Sequence, residues 1–283
     1  MSRREQIREY SKAVLNGESK KAITIIPQIL PRKLYHYTSF SEFWHSKIIE
    51  GQLYLNNPAT FNDPYDCRIQ GNTEFMLNQY FLEHSESNQE GFLQGLRSGE
   101  ILLDYKGKKM TISEYNEVAC NEYKSNFSVS CLSEVKTSML MWSHYADLHK
   151  GYAIELDAKK IYENPYDRIH LRKVVYDKHP ITMESLVHSS DKEAFLLCKS
   201  PEWKYEKEWR FFEMRKNFWD VSQYISAIYL GSRFDFKKYF FEVRAIQNHC
   251  QKIGAKLYQM KIDDKSYKLL PVEITHSSIL YED

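Results

Sequence analysis

Two carboxylates and a guanidinium recur at every second position late in the chain. Glu206, Glu208 and Arg210 lie in the segment 203–212, among aromatic side chains. If this segment is a strand, its period of two places the three charged groups on one face. The opposite face then carries Trp203, Tyr205, Trp209 and Phe211. Fixed neighbouring charges shift the pKa of a carboxyl group, so this row could provide a base or an electrostatic stabiliser; an edge strand with a solvated charged face is the alternative.

A second segment, 34–38, combines an imidazole with hydroxyl groups. As a strand it sends His36 and Thr38 to one side and Tyr35 and Tyr37 to the other. An imidazole beside hydroxyl groups can hold a ribose or a pyrophosphate. The alternative is a histidine with a purely structural hydrogen bond.

A third segment, 140–146, is predicted to be part of a helix. Met141 and Trp142 are expected in the core, whereas His144 and Tyr145 are candidate ligand contacts. His144 and His149 lie five positions apart and therefore about 140° apart around a helix, which is poor geometry for a shared ion. No metal site is predicted.

Composition limits the classes of protein that fit. The 283 residues include 39 basic and 38 acidic side chains, so the net charge of +1 does not favour nucleic acid or an anionic membrane as a partner. No apolar run reaches about eighteen residues, and we expect a cytoplasmic chain without a membrane partner. The five cysteines form no CxxC pair and are predicted to be reduced thiols.

Several common catalytic motifs are missing from the sequence. It contains no GxxxxGK[ST], GxGxxG, HExxH or GxSxG motif. The familiar P-loop, Rossmann, zincin and serine-hydrolase classes are therefore not favoured.

The order of predicted elements indicates an α+β fold with mixed or antiparallel twisted sheets and flanking helices. Ser39 and Glu42 form a candidate capping box, 181–198 is predicted as a helix, and 236–253 as a helix ended by Gly254. The predicted domains are a helical leader at 1–32, a core at 33–232 with a helical insertion at about 66–126, and a C-terminal helix with a β-hairpin at 233–283.

Five strings together resemble one bacterial family of unknown function, the domain-of-unknown-function 2971 family. The five strings are LYHYTS (34–39), FNDPYD (61–66), LMWSHYA (140–146), HKGYAIELD (149–157) and YEKEWR (205–210). AIYLG at 227–231 follows the last of them. The layout is also similar, more weakly, to the ADP-ribosyltransferase fold, whose His-Tyr-Glu site binds NAD. That second resemblance implies an ADP-ribosyltransferase-like core.

The ADP-ribosyltransferase resemblance implies roles for particular residues. His36 would bond a ribose, Tyr145 would stack on nicotinamide, and Glu208 would stabilise the cationic sugar while Glu206 orients the acceptor. Tyr37 and Tyr54 are rivals for the stacking role, and Asn62 and Asp63 lie in a turn that could close over the nucleotide. The wider nucleotide-binding set is His36, Thr38, Tyr37, Tyr54, Asn62, Asp63, His144 and Arg210.

The resulting expectation is an intracellular enzyme that uses NAD to modify a protein or nucleic acid, as a bacterial toxin or antiviral effector. One alternative is a non-catalytic module that senses a nucleotide or a phage component. Another is a hydrolase or nuclease that uses Asp63, Glu206 and Glu208.

Overall fold

The computed structural model describes residues 1–71, Phe75 and 89–275, and these fall into two compact units. The first unit contains residues 1–25, 57–128 and 174–202. The second contains 26–56, 129–173 and the chain from Trp203 onward. Part of the helical insertion predicted at 66–126 lies outside the described residues.

The second unit is built on an eight-stranded mixed sheet. Its strands are β1 (Lys33–Thr38), β6 (Phe127–Ser133), β7 (Tyr152–Asp157), β8 (Leu171–Lys173), β12 (Glu208–Met214), β14 (Ile225–Leu230), β15 (Lys256–Ile262) and β16 (Leu269–Glu273). The order across the sheet is β16-β15-β14-β7-β1-β6-β12-β8. β14 and β15 run parallel, whereas β1 is antiparallel to both of its neighbours. The α+β class with a large mixed sheet is therefore confirmed.

The first unit combines helices with short strand pairs. Its helices include α1 (Arg3–Leu15), α4 (Gln89–Ser98), α5 (Ile112–Lys124) and α9 (Met183–His188), and α2 (Ser19–Ile29) begins in it. Its short strands are β3 (Ile69–Gln70), β4 (Leu103–Tyr105), β5 (Lys108–Met110), β9 (Val175–Tyr176), β10 (Ile181–Thr182) and β11 (Cys198–Lys199). The rings of Tyr123, Phe127 and Phe195 pack against one another in this unit.

The helices of the second unit connect the strands of its sheet. They include α3 (Glu42–Glu50), α6 (Met139–Tyr145), α7 (Ala158–Glu163), α8 (Asp167–His170) and α10 (Phe240–Ile253), and β2 (Gln52–Tyr54) pairs with β13 (Phe218–Asp220) beside the sheet. Gly254 ends α10 at φ +70°, as predicted, because the left-handed C-cap favours glycine. α3 is capped by Ser41 and not by Ser39, since the Ser41 side chain accepts the N–H of Trp44.

Two predicted elements are wrong in extent. The strand predicted at 203–212 begins only at Glu208, because Pro201–Glu206 forms a 3-10 helix and Lys207 adopts a positive φ of 46°. The helix predicted at 181–198 is broken into β10, α9, a 3-10 turn at Ala194–Leu197 and β11. Among the described residues, no helix is both long and apolar enough to cross a membrane.

Candidate functional site

One face of the sheet carries a cluster of aromatic side chains, here called the tyrosine face. Tyr35, Tyr37, Trp142 and Tyr229 are buried in it, and Tyr145, Tyr205 and Tyr258 pack against it while partly exposed. The register of β1 with β7 places Glu155 opposite Tyr35 and Ala153 opposite Tyr37, and directly opposed residues share a face. The tyrosine face therefore spans neighbouring strands.

His36 points away from the tyrosine face, because adjacent residues of a strand point to opposite sides. Its Nδ1 lies 3.0 Å from the carbonyl oxygen of Cys131 and 3.4 Å from Oγ of Ser130. Burial lowers the pKa of His36, although the hydrogen bond to Cys131 opposes this shift. A neutral imidazole tethered to β6 results. Thr38, also on this side, is half-buried.

Tyr145 and Glu206 meet at the tyrosine face. The Tyr145 hydroxyl donates to Oε1 of Glu206 at 2.6 Å, and the Glu206 side chain is buried. Oγ of Ser133 donates to the Glu206 backbone carbonyl at 2.6 Å and so fixes this segment against the end of β6. The helix prediction for Tyr145 is confirmed, since Tyr145 is the last residue of α6 and Ser138 caps the start. Tyr145 and Glu206 are thus brought together, while His36 lies on the other face.

An unusual loop holds the end of α6 in place. Asp147, Leu148 and His149 are three consecutive non-glycine residues with positive φ values of 45°, 53° and 71°. Such a conformation costs energy and persists only where its surroundings enforce it. The N–H of His149 donates to the Trp142 carbonyl at 3.1 Å, and a Cβ added at Gly231 would lie 1.9 Å from the His149 carbonyl oxygen. The loop therefore holds the C-terminal end of α6, which carries Tyr145, in a fixed position.

His149 itself is anchored by α6. Its Nε2 lies 3.0 Å from Oγ of Ser143, and its ring stacks on Trp142 at a centroid distance of 6.4 Å. Burial lowers the pKa of His149, with a smaller contribution from Arg233. The imidazole of His149 therefore connects the loop to α6.

Glu208 and Arg210 form a buried ion pair. Nε and one terminal nitrogen of Arg210 donate to the two carboxylate oxygens of Glu208 at 2.8 and 3.2 Å. Their side chains are 3% and 0% exposed, so the predicted solvated edge face is wrong for these two residues. The alternation of Glu208 and Arg210 with Trp209 is confirmed, but both sides of β12 are buried.

Aromatic side chains lie near Tyr145, and the centroid of the neighbouring His144 ring is 6.1 Å from that of Tyr145. His144 is exposed, and its ring lies 6.3 Å from Trp203 and 6.4 Å from Tyr205. Leu140 in α6 and Leu148 in the loop that follows are 48% and 55% exposed. Flat rings and exposed apolar groups next to a buried carboxylate suit a ligand that combines an aromatic base with a sugar.

The tyrosine face carries a second carboxylate, that of Glu155, which was not predicted from the sequence. Glu155 accepts the hydroxyl groups of Tyr229 at 2.7 Å and Ser226 at 2.8 Å, and Nζ of Lys33 lies 3.7 Å from it. Burial would raise the pKa of Glu155, but hydrogen bonds from Tyr229, Ser226 and Tyr35 outweigh it, so the pKa is lowered. The sequence feature that could have identified Glu155 is its position as an acidic residue within the otherwise apolar strand 152–156.

The remaining predicted residues are dispersed. The Tyr37 hydroxyl donates to the Val135 carbonyl at 2.5 Å within the core, and Tyr54 pairs with Phe218 beside the main sheet. Asn62 and Asp63 belong to the first unit, where the Asp63 carboxylate accepts the N–H of Tyr65 at 2.8 Å. These roles explain Tyr37 and Asp63 without a ligand.

The hydrolase or nuclease alternative gains no support from these positions. Within residues 1–71, 75 and 89–275, no group of three or more His, Cys, Asp or Glu side chains could hold a metal ion. Glu208 is paired with Arg210.

Comparison with known proteins identifies one similarity. Residues 141–211 match the model of a family described as Protein of unknown function (DUF2971). No curated protein and no solved structure matches the chain significantly. The matched region extends from α6 into β12 and includes Tyr145, Glu155 and Glu206, whereas His36 lies outside it.

Proposed function

We propose that this chain is an ADP-ribosyltransferase-like enzyme that uses NAD as donor, with Glu206 and Tyr145 at its centre. This assignment moves the principal role from Glu208 to Glu206. The single observation that carries it is the 2.6 Å hydrogen bond from the Tyr145 hydroxyl to the buried Glu206 carboxylate, next to exposed and half-exposed rings. The acceptor would be a protein or a nucleic acid.

The chemistry requires a carboxylate at a fixed position. When the C–N bond between ribose and nicotinamide breaks, its electron pair leaves with nicotinamide and positive charge develops on the sugar. A preorganised carboxylate stabilises such an oxocarbenium-like state. Because the Tyr145 hydroxyl donates to Glu206, a ribose hydroxyl would take its place at Glu206 when NAD binds. The displaced Tyr145 ring would then stack on nicotinamide. The acceptor nucleophile would form the new bond to the ribose carbon that nicotinamide leaves, and its proton would pass to solvent water.

The other residues fit this donor unequally. His144, Trp203 and Tyr205 provide rings around Tyr145 for the base. His36 does not fit its implied role, because it faces away from Tyr145, and Glu208 is held by Arg210. In this proposal Arg210 stabilises the sheet beneath the site, and no step passes through His36.

A second candidate is a non-catalytic module that binds a nucleotide at the same rings. The observation that favours it is the two hydrogen bonds that join Glu208 to Arg210, which leave one carboxylate fewer for catalysis. This candidate predicts NAD binding without any release of nicotinamide.

Mass spectrometry of nicotinamide released from NAD, in the presence of cell extract, tests the enzyme proposal. Wild type should release nicotinamide, and Glu206→Gln should lower the rate by about 100-fold or more, since electrostatic stabilisation of this kind typically contributes that much. Glu202→Gln is the matched control, because Glu202 is exposed in the same 3-10 helix. Equal rates in wild type and Glu206→Gln, at unchanged thermal stability, would refute the role of Glu206.

A further inference from the structure

A polar cavity lies within the first unit, whereas the residues of the proposed NAD site belong to the second. Its volume is about 520 Å³, within the range of small-molecule pockets. One wall is the segment from Pro64 to Gly71 and the other is α5. The α5 residues that line it recur at helical spacing, at Ser113, Asn116, Glu117, Cys120, Asn121 and Lys124. A helix that turns a polar stripe toward a cavity is typical of a binding wall, because apolar stripes normally face inward.

Lys124 brings a buried positive charge to this cavity. It is 8% exposed, and its Nζ donates to the backbone carbonyl of Asp66 at 3.4 Å. The Asp66 carboxylate is engaged elsewhere, by Nζ of Lys199 at 3.3 Å. Among the described residues, no carboxylate lies within ion-pair distance of Lys124. A buried ammonium group without a carboxylate partner is costly unless an anion joins it.

Two further groups define the chemistry of a ligand. The guanidinium of Arg68 lies over the Tyr65 ring at 5.2 Å and lines the same cavity, so two cations face a single carboxylate, that of Glu117. Asn116 is 7% exposed, and its Oδ1 has no hydrogen-bond partner within the described part of the chain. A buried acceptor of this kind calls for a donor on the ligand.

We infer that this cavity binds a phosphomonoester whose body carries hydroxyl groups, that is, a sugar phosphate. Its phosphate would lie between Lys124 and Arg68, and a hydroxyl would donate to Asn116. Asn116 and Lys124 are eight residues apart on α5, which is about 12 Å along the helix axis. The distance between their polar groups is shorter, because the lysine side chain leans toward the N-terminus of the helix. A phosphate group carries up to two negative charges, which match the two cations.

Calorimetric titration of the full chain with ribose 5-phosphate tests this site. Wild type should bind saturably, and Lys124→Met and Arg68→Gln should each weaken binding by about tenfold or more, since each removes a charge-assisted contact. Lys109→Met is the matched control: Lys109 is exposed in the same unit and does not line the cavity. It should change the Kd by less than about twofold.

A second probe separates the two halves of the ligand. Asn116→Leu should weaken ribose 5-phosphate binding but leave binding of inorganic phosphate unchanged.

Arg68 is exposed, so Arg68→Gln keeps the test decisive if Lys124→Met fails to fold. Absence of saturable binding by wild type at about 10 mM probe, or an equal loss in Lys109→Met, would overturn the inference. Glu206→Gln should bind this probe as wild type does, so this result is independent of the NAD proposal.

Discussion

The Glu208–Arg210 pair makes a quantitative prediction about stability. Both side chains are buried, and two hydrogen bonds of 2.8 and 3.2 Å join them. Glu208→Gln preserves the side-chain shape but removes the negative charge that the guanidinium of Arg210 contacts. Removal of one partner of a buried pair costs about 3–5 kcal/mol, and we expect about 3 kcal/mol because the Gln carbonyl keeps one acceptor. The melting temperature should fall by about 6–12 °C for a unit of this size.

Urea denaturation followed by tryptophan fluorescence measures this cost directly, because all five tryptophans belong to the second unit. Glu213→Gln is the matched control on the same strand, since Glu213 pairs with Lys216 in a partly exposed i,i+3 contact worth about 1 kcal/mol or less. The double variant Glu208→Leu with Arg210→Met should recover most of the lost stability, because it removes both charges. A loss below about 0.5 kcal/mol in Glu208→Gln would refute the structural role of Glu208.

Two further predictions concern the same unit. Trp209→Ala should lower the free energy of unfolding by about 3–5 kcal/mol, because Trp209 is fully buried and its indole N–H donates to Glu134 at 2.9 Å. Urea denaturation measures the loss, with Trp203→Ala as the control because Trp203 is half-exposed. A loss in Trp209→Ala no larger than that in Trp203→Ala would contradict the prediction. Burial lowers the pKa of His36 from 6.5, so the unfolded chain takes up the proton at higher pH than the folded chain. The corresponding stability is complete above pH 6.5 and is lost as the pH falls toward the folded pKa, by at most about 1.4 kcal/mol per pH unit. His36→Gln should flatten the profile of unfolding free energy between pH 7 and pH 5. Parallel profiles for wild type and His36→Gln would contradict the burial of His36.

Local patterns predicted much of the fold. Alternation in 34–38 correctly separates His36 from Tyr35 and Tyr37, since a period of two decides which side each residue faces. Gly254 ends its helix because a left-handed residue is needed there. The 3-10 helix before β12 was missed because the positive φ of Lys207 has no residue signature, and lysine rarely adopts it.

The candidate site could be predicted only in part. Tyr145 and Glu206 were both identified as candidate residues. Their pairing depends on the order of strands in the sheet, and the local sequence around neither residue determines that order. The partnership of Glu208 with Arg210 could have been read from their spacing of two on one strand. The position of β12 between β6 and β8 depends on other segments of the chain and could not. Glu155 was missed because its hydroxyl partners come from β14 and β1.

The proposed function depends on nucleotide binding at Tyr145 and Glu206 on the tyrosine face. Calorimetric titration of the full chain with NAD tests it most directly, since both the enzyme and the binding module require this step. We predict saturable binding by wild type that Tyr145→Leu weakens by about tenfold or more, while His36→Gln binds as wild type does. Binding that survives Tyr145→Leu but is lost in a folded His36→Gln variant would contradict the account and place the nucleotide on the opposite face of the sheet.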